Sequence, residues 1–181
     1  MKSKMELLEK IKDSFFMSVI EQRSSDLKPN RALTNLSTAK TFGIIYNSTE
    51  SGNDIAATKI AEWLRNKGKE VSVIGYMNDK KISSKEDVEI FNVYDVNWYG
   101  VPKSDKTKSF CNQEFDVLLC GITEANRPLE YIAYMSKAKC RVGPYLPKKV
   151  EAFELMVNVE KGIHLKSMLE KMIALLNQIK L

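Results

Sequence analysis

Two short apolar runs with a helix between them constrain this chain more than anything else in it. Thr41 to Asn47 (TFGIIYN) is β-branched and aromatic without polar alternation, the pattern of a strand covered on both faces. Glu70 to Tyr76 (EVSVIGY) reads as a second strand. Between them Ile55, Ile60, Trp63 and Leu64 share one helical face, and Gly68 supplies the stop expected of a C-terminal cap. Strand, helix and strand at this spacing make a βαβ unit, whose strands are parallel and whose crossover is right-handed.

The remainder extends the same plan. Phe115 to Gly121 (FDVLLCG) is a third buried strand, followed by the loop ITEANRP and a helix carrying Leu129, Ile132, Ala133 and Met135, with Pro128 placed in its first turn. Lys139–Val142 and Ala152–Val159 read as further strands, and Leu165, Met168, Leu169, Met172, Ile173, Leu176 and Ile179 give the last helix a wide apolar stripe. Met77 to Glu114 carries less pattern: Val88–Val93 suits a short strand, and DVNWYGVPKSD holds the turn residues Gly100 and Pro102 beside Trp98 and Tyr99. In front of the core, Leu8, Ile11, Phe15 and Val19 recur at helical spacing among charges, and the Ser- and Asn-rich segment from Arg23 to Thr41 connects that helix to the first strand. The sequence therefore predicts a three-layer, Rossmann-like α/β domain with a mostly parallel sheet over residues 41–181, preceded by an N-terminal amphipathic helix and connecting segment over residues 1–40.

Composition narrows the classes of function. No run approaches the ~18 consecutive apolar residues of a membrane span, so no membrane-spanning segment is expected. Glu6, Glu9, Lys10, Lys12 and Asp13 interrupt the N-terminus where a secretory signal needs an unbroken apolar core, which makes the cytoplasm the expected location. Cys111, Cys120 and Cys140 are odd in number and lack metal-ligand spacing; with a single histidine, His164, they predict neither a disulfide framework nor a metal site. A relay of the Ser-His-Asp or Cys-His kind would have to use His164, and no nucleophile motif surrounds it. The net charge of +5 favours anionic partners mildly, because the basic residues are interspersed with acidic ones instead of clustered.

Two groups of residues stand out as candidate sites. In an α/β sheet, ligands bind beyond the carboxyl ends of the strands, and Ser48, Thr49, Ser51 and Gly52 occupy the first strand-to-helix loop. Thr123, Glu124 and Arg127 occupy the equivalent loop after the Phe115 strand, where Glu124 suits a base and Arg127 an anion holder. Neither loop has a Gly-rich phosphate motif, Glu50 and Asp54 repel phosphate, and Ser, Asn and Asp also serve as plain helix caps. The second group is Phe15, Val19, Trp98 and Tyr99: an apolar helix face, and an aromatic pair flanked by Lys103, Lys106 and Lys108 that suits either stacking on a ligand or pinning a loop.

The runs ALTNLSTAKTFGIIYNST, NWYGVPKS, EFDVLLCGI, PLEYIAYMSKAKCRVGPY and ELMVNV, which span most of the chain, resemble a family of small proteins, mostly of Bacteroidota, classed as a domain of unknown function. That resemblance implies a compact cytoplasmic Rossmann-like domain behind an often basic N-terminal helix, and it brings no activity, cofactor or catalytic residue. FDVLL and AKCRVGPY are also loosely similar to one half of the bacterial heptosyltransferases, an analogy of fold, since those enzymes hold substrate between two such halves.

Two functions from different classes are thus expected. One is a non-catalytic interaction module, engaging a protein or RNA through the N-terminal helix and the Lys-rich loops, with a homodimer among the options. The other is a small enzyme or sensor that binds a nucleotide, sugar phosphate or similar anion at the carboxyl edge of the sheet. No cofactor is implied by either.

Overall fold

The structure, a computed structural model, describes residues 2–27, 29–80, 88–145 and 152–181. Its elements run α1 (Lys2–Asp26), β1 (Thr41–Asn47), α2 (Asn53–Asn66), β2 (Glu70–Met77), β3 (Glu89–Asn92), α3 (Asp105–Asn112), β4 (Val117–Gly121), α4 (Arg127–Met135), β5 (Cys140–Pro144), β6 (Leu155–Val157) and α5 (Leu165–Gln178). The six strands pair in the order β3-β2-β1-β4-β5-β6, every pair parallel. This is the order of a doubly wound sheet, which reverses direction between β1 and β4.

The reversal decides where the helices go. Crossovers of one hand that travel in opposite directions along a sheet lay their helices on opposite faces. Accordingly, Ile60, Ala61 and Leu64 of α2 pack with Phe42, Ile44 and Tyr46 of β1 on one face, joined by Leu165, Met168 and Leu169 of α5. Leu129, Ile132 and Ala133 of α4 pack with Ile45, Leu118 and Cys120 on the other, joined by Phe110 of α3 and by Phe16 and Ile20 of α1. The alternation of Ile44 and Ile45, or Leu118 and Leu119, between the two clusters follows from the two-residue period of a strand.

The sheet is wholly parallel where the sequence predicts mostly so, and two elements differ. α3 is a helix in a stretch read as turn-rich, opened by Ser104, whose side chain accepts from the Thr107 N–H. β6 keeps only the middle three residues of the eight predicted. Part of the predicted strand Val88–Val93 is β3, and Val93 to Asp95 form a single 3₁₀ turn.

Polar contacts join the connecting segment to the sheet. The Lys40 and Thr41 N–H groups donate to Asp116 at 2.7 and 3.2 Å, and Lys139 reaches the same carboxylate at 2.8 Å. Burial opposes the Asp116 charge, but these donors outweigh it and hold the carboxyl below its ordinary range. Further along, Arg141 of β5 grips Glu154 through Nε at 3.0 Å and Nη2 at 2.7 Å, and Arg31 joins from 3.6 Å. Among the described residues no helix is long and apolar enough to cross a membrane.

Candidate functional site

The carboxyl ends of β1 and β4 lie side by side at the reversal, and the two loops predicted to bind an anion meet there. Ser48 is buried and donates to Asp54, which also accepts from the Tyr46 hydroxyl at 2.8 Å. Burial, and then this carboxylate, push the Tyr46 pKa far up, so the phenol stays protonated. The Thr49 hydroxyl accepts from the Asn78 N–H at 2.7 Å, and Thr123 donates across the reversal to Glu50 at 3.3 Å. Ser51, Gly52 and Glu124 are exposed. Gly52, at φ 86°, opens α2 without a side-chain cap. The crevice therefore presents Glu50 and Asp54, each hydrogen-bonded to its own loop.

Arg127, grouped with these loops by the sequence, points elsewhere. It donates through Nε to Asp13 at 2.8 Å and through Nη2 to Glu9 at 2.7 Å, both on α1. Burial weakens its charge, but the two carboxylates prevail and raise its pKa above the usual guanidinium value. Lys12, and then Arg127, lower the Glu9 pKa in turn. Asn126 caps α4 by accepting from the Leu129 N–H, and its own N–H donates to the buried Glu130 at 3.1 Å. A cleft of about 610 Å³ runs between α1, the end of β2 and the start of α4, bordered by Glu9, Lys12, Asp13, Asn78, Arg127 and Glu130.

Beside this cleft three of the four residues singled out for interaction converge. Asn97 to Gly100 form a tight turn whose Asn97 carboxamide accepts from the Tyr99 and Val101 N–H groups at 3.2 and 2.9 Å. The turn needs glycine at position 100, since φ is +94° and a Cβ would stand 2.8 Å from Cβ of Arg127. It delivers Trp98 and Tyr99 to Phe15 of α1, with ring centroids 5.2 and 6.0 Å away and the two rings themselves 5.1 Å apart. Tyr99 and Val19 are half-buried, whereas Phe15 is 51% and Trp98 56% exposed. The aromatic pair thus meets α1, and Tyr99 also packs against the core on that face of the sheet.

α1 itself has two apolar sides. Phe16 and Ile20 sit in the core at 2% and 3% exposure, while Leu8 at 47%, Ile11 at 40% and Phe15 face solvent. At 100° per residue the two sets lie roughly 130° apart around the helix. The periodicity of Leu8, Ile11, Phe15 and Val19 marks the outer side, and Phe16 and Ile20, which make the seat, went unnoticed because they are offset from it by one residue. Arg23 extends the seat by donating to the Tyr131 hydroxyl.

A model of a family of unknown function, DUF6913, matches residues 12–179. The chain belongs to this family. The DUF6913 match takes in Asp13, Phe15, Phe16, the Trp98 turn and Arg127, while Leu8, Glu9 and Ile11 precede it. No curated protein and no solved structure matches the chain.

Proposed function

We propose that this protein is a non-catalytic interaction module that presents α1 to a protein partner, through the outer stripe of Leu8, Ile11 and Phe15 continued by Trp98. One observation carries the reading: a 25-residue helix is seated by Phe16 and Ile20 and clamped by Arg127, yet leaves six large apolar residues facing water, Leu8, Ile11 and Phe15 among them at steps of three and four. A helix half embedded and half apolar toward solvent is the form in which helical surfaces are recognised. A protein suits it better than RNA, because Lys2–Asp26 carries five basic and five acidic residues and offers phosphates no net attraction. The exposed Lys103, Lys106 and Lys108 lie on and before α3, and Lys108 is paired with Asp105 at 3.0 Å.

The anion reading has less support. Its crevice holds two carboxylates, and its one guanidinium is neutralised by Glu9 and Asp13. The three cysteines are buried free thiols, which suits the reducing cytoplasm we assign to the protein.

The test is amine cross-linking in cells that express the protein. Lys4 and Lys10 of α1 should link to other polypeptide chains, and Leu8→Asp with Phe15→Asp should remove those links while leaving the melting temperature nearly unchanged. Links that persist in the double variant, or contacts to RNA alone, would reject the reading.

A further inference from the structure

A groove opens on the face of the sheet away from α1, where α2 and α5 lie side by side. It encloses about 550 Å³, within the ~300–1,000 Å³ of small-molecule sites. Ile60, Trp63 and Lys67 follow at steps of three and four along α2, and Lys166, Glu170, Ile173 and Asn177 at steps of four, three and four along α5. Each helix thus turns one line of side chains toward the groove. Leu36 of the connecting segment borders it as well. Its N–H donates to the Leu176 carbonyl at 3.2 Å, and Lys69 holds the same segment by donating to the Ser37 and Ala39 carbonyls at 3.2 and 2.6 Å. The walls are therefore held by contacts of their own.

The lining has two parts of different chemistry. Ile60 and Ile173 form a recessed apolar floor, and the exposed Trp63 ring stands beside them. Around this floor the ammonium groups of Lys59, Lys67 and Lys166 are accompanied by one carboxylate, that of Glu170. Lys166 and Glu170 pair loosely at 3.7 Å. Among the described residues neither Lys59 nor Lys67 pairs with a carboxylate, and the Lys67 ammonium is held over Trp63, 4.7 Å from the ring centroid. The neighbouring charges Glu62 on α2 and Lys171 on α5 are opposite in sign and lie outside the lining. An excess of positive charge is left beside an apolar floor.

A ligand that uses both parts must combine an apolar body with a negative charge. An inorganic anion leaves the floor in water, a neutral hydrocarbon leaves the ammonium groups unmatched, and a cation is repelled. The recess also disfavours a membrane surface, which is met by apolar side chains that project. We infer that this groove binds a free amphipathic acid, its aliphatic or aromatic body on Ile60, Trp63 and Ile173 and its carboxylate at the rim formed by Lys59 and Lys67. Lying across the sheet from α1, the site stands or falls independently of the docking reading.

Tryptophan fluorescence of the full chain tests it. Trp98→Phe leaves Trp63 as the one tryptophan, and decanoate below its micelle concentration is the probe. Decanoate should shift the Trp63 emission saturably, while decyltrimethylammonium, the same chain length with the opposite charge, should need at least about tenfold more. Lys59→Glu with Lys67→Glu should raise the decanoate midpoint about tenfold, and Lys59→Arg with Lys67→Arg should leave it in place. Ala174→Glu puts a carboxylate at an exposed position on the groove and should abolish saturation with an unchanged melting temperature. The inference is overturned by the absence of a saturable shift up to about 1 mM decanoate. Equal midpoints for the anion and the cation, or a decanoate midpoint unmoved by either glutamate variant, would overturn it too. So would a response to anionic phospholipid vesicles with none to free decanoate, which would make the surface a membrane contact.

Discussion

Replacing Phe16 by alanine should release α1 while leaving the sheet intact. The ring is 2% exposed between α1 and the α4 face, and Ile20, 3% exposed, is the other buried apolar anchor of the helix. Complete burial of a large apolar side chain contributes about 1.5–3 kcal/mol. Core Phe→Ala changes cost about 3–5 kcal/mol, and a helix at the surface can settle into the gap, so the low end, ~3 kcal/mol, applies here. Arg127 adds little by comparison: its partners Glu9 and Asp13 are 52% and 64% exposed, and solvent-screened pairs of this kind are worth about 0.2–1 kcal/mol each. Most of a helix's stability in a protein comes from tertiary packing, so losing ~3 kcal/mol of seat should appear as local opening. Hydrogen exchange read by mass spectrometry should show amides of residues 2–26 exchanging about 100-fold faster. Amides of β1 and β4 should be unchanged. Equal acceleration in β1 and β4 would mean that α1 is continuous with the core, and less than threefold acceleration in α1 would mean that Phe16 is not its anchor.

Other consequences follow from the same contacts. Glu154→Gln takes from the buried Arg141 the carboxylate that accepts from its Nε and Nη2, and should cost about 3–5 kcal/mol in chemical denaturation, whereas an intact midpoint would show the pair to be dispensable. Asp116 has a depressed pKa, so its contribution is full above the unfolded value of about 3.9 and is lost as pH falls through the folded one. The melting-temperature gap between parent and Asp116→Asn should therefore be constant above about pH 5 and close toward pH 3; a gap that widens in acid would contradict this. Gly100→Ala forces a side chain at φ +94° against Arg127 and should cost about 1–3 kcal/mol, measured by thermal melting; an unchanged melting temperature would show that the turn relaxes freely. Burial pushes the Cys111 thiol to about 12 and Cys140 to about 11, and raises Cys120 as well. A thiol reagent at pH 8 should accordingly label none of the three until guanidinium unfolds the chain, and rapid native labelling would refute their burial.

The fold was legible wherever burial on both faces left an unbroken apolar run, as in TFGIIYN and FDVLLCG. α3 was not, because DKTKSFCN has only Phe110 and Cys111 to mark a buried side; Ser104 followed by Asp105 is the cap signal that would have found it. The Arg141 and Glu154 pair was also missed, although an arginine inside KCRV, a strand with a buried pattern, asks for a partner. Of the candidate site, Phe15, Val19, Trp98 and Tyr99 were each visible as residues, and the meeting of Phe15 with the aromatic pair was not: it depends on a turn more than eighty positions from Phe15. Arg127 illustrates the limit from the other side. Its loop position suggested an anion, and only tertiary packing brings Glu9 and Asp13 to it.

The most direct test of the central claim is a photo-cross-linking amino acid placed at Ile11, the middle of the outer stripe, with Glu62 on the opposite face of the molecule as control. The account predicts protein adducts from position 11 in living cells, lost on Leu8→Asp with Phe15→Asp and absent from position 62. The same adducts from both positions, or adducts to RNA only, would contradict it.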